Sequence, residues 1–309
     1  MIAPGGLIAL APGKVNLCLF LGPTRDDGRH QLLSLLESVS LADELRLTAG
    51  GPGPDVVHCP GVEGPNLAEA ALAAYRRAAR WDAPPLRLEV RKAVPVAAGM
   101  GGGSGDAAAA LRLAAHAAGR PGDPLLAELA FALGADVPAQ IEPRRVMVRG
   151  AGELVEPLGP GPAHGLVVVP SAHRLATTAV FAEADRLGLL RGATELSELD
   201  QHLSEALRLG NELEPEWLHN DLQPAARSLC PEIGAALEDV AAAGARAALV
   251  SGSGPTVFGV FPGHSGPEAA RAAAGELRGR HAGAVAVTAV GPEFGRPREL
   301  AEPGPGPAS

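Results

Sequence analysis

Aromatic residues are scarce: Phe, Trp and Tyr together make up 3% of the chain. Stacking platforms for single-stranded nucleic acid are therefore missing, and the core has to be built mainly from Ala, Leu and Val. Cysteine is equally rare. Cys18, Cys59 and Cys230 are odd in number and widely separated, which speaks against a disulfide framework or a cysteine zinc site and for ordinary thiols of a reducing compartment. Positive charge is short as well, with 26 Lys and Arg against 35 Asp and Glu and a net charge of −9. That balance argues against a broad surface for nucleic acid or anionic membrane, so any anionic ligand has to be handled locally. No apolar run approaches membrane-spanning length, and the first cation is Lys14, so the charged start of a signal peptide is missing. The expectation is a cytoplasmic protein without nucleic-acid or membrane partners.

What is present is ordinary globular material. The 309 residues are 46% hydrophobic and 20% charged, enough for two domains on a prior of roughly 100–200 residues each. Short apolar runs at Leu7–Ala11, Val15–Leu21 and Glu44–Thr48, with turn residues at Gly22-Pro23 and Asp26-Asp27-Gly28, predict a strand-rich start. Asn66 opens a helical pattern, a strand follows at Leu86–Lys92, and two Ala/Leu-rich helices are predicted at Ser104–Ala118 and Asp123–Leu133. The Pro/Gly stretch Pro157–Pro162 marks the expected boundary between domains 1–157 and 158–309.

Beyond it, a strand is read at Leu166–Val169 and helices at Ala176–Leu187, Glu198–Leu209, Asp221–Leu229 and Glu232–Ala243. A strand pair, Ala247–Val250 and Val257–Phe261, precedes a helix at Pro267–Arg278 and a strand at Ala284–Val290, and the tail is expected to be flexible from about residue 300. Strands and helices come in groups, so the fold class is α+β.

The most informative segment is Pro95-Val96-Ala97-Ala98-Gly99-Met100-Gly101-Gly102-Gly103-Ser104-Gly105-Asp106, between a strand and an Ala-rich helix. Clustered glycines let successive backbone N–H groups point into one concavity, and the helix N-terminus adds partial positive charge, the ingredients of a phosphate cradle. Ser104 can offer its hydroxyl to a phosphate or a magnesium ion, or act as helix N-cap. A Walker A loop is excluded, because Gly13-Lys14 is followed by Val15 and the glycine run holds no lysine. A dinucleotide fingerprint is poorly supported where glycine is this abundant, 40 residues in all. Three further segments stand out: Ala11–Leu17, where Lys14 and Asn16 share one strand face; Leu133–Pro138, with Asp136 in a Gly/Pro-punctuated corner; and the small-residue turn Val250–Thr256.

Together these segments resemble the GHMP kinases (galactokinase, homoserine kinase, mevalonate kinase and phosphomevalonate kinase), whose three motifs correspond to Pro12–Leu17, Pro95–Ala108 and Val250–Phe258. The resemblance runs from about Ala11 to Phe261. It is closest to the branch that phosphorylates a cytidine-diphosphate alcohol, on the strength of Asp26-Asp27-Gly28-Arg29-His30, Gly134–Pro138 and Asn220-Asp221-Leu222.

The resemblance implies a two-domain GHMP kinase fold, with an N-terminal half like domain 2 of ribosomal protein S5 and a ferredoxin-like C-terminal half. It also implies ATP with Mg2+ as cofactors, and a monomer or homodimer. Lys14 and Asp136 then take the catalytic positions. Pro95, Ala97, Gly99, Gly101, Gly102, Gly103 and Ser104, with Asn66 and Lys92, line the ATP pocket, and Ser104 is the candidate metal ligand. Asn16, Arg29, His30, Thr177 and Phe181 are the expected substrate contacts, His30 at the cytosine edge and Phe181 stacked on the base. Two segments depart from the family. Arg29 replaces a tyrosine that would form the other face of the base sandwich, and a planar guanidinium can stack there instead. Glu142-Pro143-Arg144-Arg145 stands where small residues are usual. Rival readings are a superfamily kinase for another alcohol, a non-catalytic nucleotide-binding protein and a dinucleotide-dependent oxidoreductase.

Overall fold

A computed structural model describes residues 5–62, 64–210 and 215–300. The expected tail therefore lies, past Leu300, outside the described residues. The chain opens with two long paired strands, β1 (Leu7–Thr24) and β2 (His30–Ala49), followed by β3 (Val56–His58), α1 (Leu67–Ala79), β4 (Leu86–Arg91), α2 (Gly102–Ala117), α3 (Leu125–Leu133), β5 (Val146–Arg149) and β6 (Leu154–Pro157). The second half runs β7 (His164–Val169), α4 (Thr177–Leu187), α5 (Ala193–Arg208), β8 (His219–Asn220), α6 (Gln223–Leu229), α7 (Glu232–Ala242), β9 (Ala247–Val250), β10 (Val257–Pro262), α8 (Gly266–Leu277), β11 (Val285–Val287) and β12 (Arg298–Glu299).

The first sheet has the order β12-β1-β2-β4-β3, with β5 on β2, β6 on β5 and β8 on β1. The second is β11-β7-β10-β9. The C-terminal half thus returns two short strands to the N-terminal sheet: Cys18 and Leu19 pair with His219 and Asn220, and Leu7 and Ile8 with Glu299 and Arg298. The alternating burial of β4 is the signature of a sheet with one wet face.

One core packs α1, α2 and α3 on the first sheet, and its α2 face is mostly alanine, which allows close approach and favours helix. A second core lies between α4, α6, α7, α8 and the second sheet. A third contains Val15, Leu17, Leu35, Met147, Leu166, Val168, Phe258 and Val260, and so joins the two sheets.

Two expectations on elements are corrected. The runs Leu7–Ala11 and Val15–Leu21 are one strand, whose register shifts between Pro12 and Lys14 and again between Asn16 and Cys18. The strand ending at Thr48 begins far earlier, at His30, because the Leu-rich stretch before Glu44 is buried and carries no alternation to betray it.

Candidate active site

The first register shift in β1 frees the backbone at Lys14, whose N–H donates to Met100 O at 2.9 Å and so anchors the glycine loop on the strand. Lys14 is 3% exposed. Its Nζ donates to Asn16 Oδ1 at 2.8 Å and stands 3.6 Å from Asp136 Oδ2. Asn16 Nδ2 in turn donates to Ser34 Oγ, and that hydroxyl donates to Cys18 O. The chain therefore aims the ammonium from below, whereas Asp136, with a side chain 48% exposed, reaches it from the turn after α3. This is a wet carboxylate beside a buried ammonium, a pair able to take a hydroxyl proton and to stabilise the resulting charge on oxygen.

The third motif closes the same site. Ser251 Oγ donates to Gly99 O at 3.0 Å, and a side chain at Gly252 would come within 3.0 Å of Lys14 Nζ. Asn220 holds this turn in place by donating from Nδ2 to Val250 O and Gly252 O. Asp221 accepts from Leu21 N and is bridged by Arg191 and His219. Its burial raises the carboxyl pKa, but the hydrogen bonds from His219 and Arg191 outweigh it and hold the group below the usual range. Asn220 and Asp221 thus assemble the site from behind.

The glycine loop turns into α2 at Gly101, which sits at φ +66° as N-cap, while Ala97 holds the left-handed φ of +53°. Gly105 N already bonds to Gly101 O, which leaves the N–H groups of Gly102, Gly103 and Ser104 without intrahelical acceptors, free to bind an anion. Ser104 is accordingly not the N-cap; it lies inside the first turn, and its hydroxyl makes no hydrogen bond among the described residues. The cap role falls on Asn66 at α1 instead, where Oδ1 accepts from Ala68 N at 2.8 Å.

Lys92 is likewise committed under the loop. Its Nζ lies 2.5 Å from Asp43 Oδ2 and 2.6 Å from Asp106 Oδ2. Burial, opposed by Lys92 and reinforced by Asp43, pushes the Asp106 carboxyl up to about 7: two acids share one ammonium away from water. Pro95 leads into the loop, and Lys92 supports it from beneath, its Nζ 3.3 Å from where a Cβ at Gly102 would lie.

At the other end, His30 and Phe181 approach across the two halves, ring centroids 5.2 Å apart and tilted by 39°. His30 Nε2 lies 2.7 Å from Asp185 Oδ1, and Thr177 Oγ1 lies 3.1 Å from Ser253 Oγ, so α4 faces the third motif. Arg29 has an aromatic partner of its own. Its guanidinium sits 5.5 Å from the ring centroid of the exposed Phe131 on α3, a cation–π contact that draws it to the other rim.

Sequence reasoning missed Phe131, Asp43, Asp185 and Gln140. The last is 1% exposed, beside Gly101, with neither side-chain polar atom partnered. None carries a local signal; each owes its place to tertiary contact. For a magnesium ion, the oxygens near the cradle are the Ser104 hydroxyl, the Asp136 carboxylate and the unpartnered Asp106 Oδ1 and Gln140 Oε1. That sparse oxygen set fits an ion that keeps several waters and is carried mainly by phosphates.

Comparison with known proteins identifies the family of this chain. The GHMP kinases N terminal domain matches residues 66–142 and the GHMP kinases C terminal domain residues 193–279. The chain is 41% identical to the 4-diphosphocytidyl-2-C-methyl-D-erythritol kinase of Thermobifida fusca (strain YX), over 94% of this chain and 98% of that protein. It is 38% identical to the one from Anaeromyxobacter sp. (strain K), covering 92% and 89%. A crystal structure of 4-(cytidine 5'-diphospho)-2C-methyl-D-erythritol kinase superposes with a TM-score of 0.69 at 34% identity, over 94% of this chain and 97% of that one. Homoserine kinase from Cytophaga hutchinsonii shares the fold, at TM-score 0.72 and 16% identity over 96% and 98% of the two chains. Among the described residues no helix is long and apolar enough to cross a membrane. The chain belongs to the GHMP kinases, in the family of the 4-diphosphocytidyl-2-C-methyl-D-erythritol kinases.

Proposed function

We propose that the protein transfers the γ-phosphoryl group of ATP to the 2-hydroxyl of 4-diphosphocytidyl-2-C-methyl-D-erythritol, a step of the non-mevalonate route to isoprenoid precursors. The observation that carries this reading is the Lys14–Asp136 pair, Nζ to Oδ2 3.6 Å, set beside a glycine loop whose helix N-terminus is open to phosphate. Asp136 accepts the hydroxyl proton as the oxygen attacks in line. Lys14 stands beside Asp136 and faces the charge that develops on the oxygen. The N–H groups of Gly102, Gly103 and Ser104 take phosphate oxygens, and Gly99 and Gly101 shape the loop that presents them.

Ser104 would hold the Mg2+ that accompanies ATP; such an ion, when bound, neutralises charge on the phosphates. Asn16 and Thr177 contact the substrate, His30 meets the cytosine edge and Phe181 its face, with Arg29 and Phe131 forming the opposite rim. On this reading residues 1–157 and 158–309 are the two halves of a cytoplasmic enzyme, monomer or homodimer, that acts on small molecules. ADP release by the purified protein is to be measured against a panel of alcohols. Release confined to the cytidine-diphosphate alcohol is expected, and equal release with an alcohol lacking cytidine would overturn the substrate assignment.

A further inference from the structure

On the reverse side of β1 from Lys14 and Asn16 lies a pocket walled by Leu17, Leu218 and Val260, with Arg145, His164 and Arg246 in its lining. Arg145 ends the Glu142-Pro143-Arg144-Arg145 segment that departs from the family pattern, and the proposed reaction makes no use of it. It is 6% exposed, its Nε is buried without a partner, and its side chain forms no hydrogen bond or ion pair among the described residues. Other buried or partly buried cations here are compensated. Lys14 has Asp136, Lys92 has two aspartates, and Arg112 donates to the carbonyls of Leu10, Gln140 and Gly295.

The position of Arg145 is built in. A Cβ at Gly161 would fall 1.4 Å from Arg145 Nη1, so the turn before β7 accommodates the guanidinium only because residue 161 has no side chain. The nearby acid is already engaged: Glu37 Oε2, buried, stands 2.8 Å from His164 Nε2, while His164 Nδ1 lies 2.9 Å from Pro162 O. Burial lowers the His164 pKa, but the Glu37 carboxylate outweighs it and shifts the imidazole toward its charged form. Glu37 faces His164, and no carboxylate of the described residues stands within ion-pair distance of Arg145, whose charge sits in a mostly apolar pocket, where burying an unpaired ion is costly. The space open to a water-sized sphere is about 40 Å³, room for about three waters or one tetrahedral oxyanion.

We infer that this pocket binds a small inorganic oxyanion of the phosphate or sulfate class, held by the Arg145 guanidinium, which offers a planar fork of donors to such ligands. The site is separate from the glycine-loop cradle: no residue of that loop lines the pocket. An anion there would tie β1 and the start of β5 to the turn before β7.

The test is calorimetric titration of inorganic phosphate into the full-length protein saturated with ADP, so that the cradle is already filled. A single saturable site is expected below about 10 mM, competed by sulfate and not by acetate. Arg145→Met should weaken it at least tenfold, and Arg145→Lys, which keeps the charge but not the fork, severalfold. Phosphate should also raise the melting temperature of the ADP-saturated wild type and leave that of Arg145→Met unchanged. Phosphate heat that vanishes entirely in the presence of ADP would overturn the inference, as would equal affinity in either Arg145 variant. Should Arg145→Met not fold, the Arg145→Lys titration and the acetate arm still decide, since competition by acetate as strong as by sulfate would point to a nonspecific charge effect.

Discussion

Replacing Gly99 with alanine probes the contact on which the site depends, the seam between the glycine loop and the third motif. Gly99 has φ +76°, and a Cβ there would lie 2.1 Å from Ser251 O, 2.8 Å from Gly254 N and 3.0 Å from Gly254 O. The left-handed backbone costs an alanine about 1–2 kcal/mol. All three obstacles are backbone atoms that cannot swing aside, so overpacking adds about 1–3 kcal/mol. The sum, about 2–5 kcal/mol, is a large part of a marginal stability of about 5–15 kcal/mol. Gly103→Ala is the matched control. Its backbone is helical and the nearest atom to an added Cβ, Leu67 Cδ1, is 3.8 Å away, so folding should be unaffected or helped by up to about 1 kcal/mol. Urea unfolding should therefore show a lowered midpoint for Gly99→Ala alone, whereas the ATP KM should rise in both variants, in Gly103→Ala because a methyl group intrudes on the cradle. Coincident unfolding curves for Gly99→Ala and wild type would refute the seam as drawn.

Lys14→Ala and Asp136→Asn should each lower kcat by roughly 100-fold or more with little change in ATP affinity, since both act on the accepting hydroxyl; single-turnover phosphoryl transfer beside equilibrium ATP binding checks this. Phe181→Ala should raise KM for the cytidine substrate roughly tenfold, from a stacking contribution of about 1–3 kcal/mol, and an unaltered KM in steady-state assays would remove Phe181 from the base pocket. Asp106, with its folded-state carboxyl raised to about 7, keeps a proton that the unfolded chain releases near its ordinary range. Stability should consequently fall as pH rises from about 4 to 7, by up to about 1.4 kcal/mol per pH unit. Asp106→Asn, which leaves one acid for the Lys92 ammonium, should flatten that slope, and denaturant midpoints across this range measure it.

The parts of the site legible in the sequence are those whose chemistry is local. The glycine loop announces itself within a dozen residues, because backbone freedom is a short-range property, whereas Lys14 and Asp136, ordinary strand and turn residues when taken singly, gain their meaning from their order beside that loop in the GHMP kinase pattern. What escaped depends on distant partners. β2 is buried over the Leu-rich run before Glu44, so the period that would reveal a strand is missing. β8 and β12 are two-residue strands that exist only because β1 offers an edge. Lys92, in a strand that reads as ordinary, is drawn under the loop by Asp43 from a neighbouring strand. Arg29 likewise finds Phe131, which is 102 positions away in the chain and exposed on α3.

The central claim is the transfer of phosphate to one hydroxyl of a cytidine-bearing alcohol, and 31P NMR of the reaction products addresses it most directly. With ATP, Mg2+ and 4-diphosphocytidyl-2-C-methyl-D-erythritol, the account predicts ADP and one new phosphomonoester resonance, assigned to the 2-position, in equal amounts, and both absent from the Asp136→Asn reaction over the same time. ADP with free inorganic phosphate, or a phosphomonoester formed as readily on homoserine or mevalonate, would contradict it.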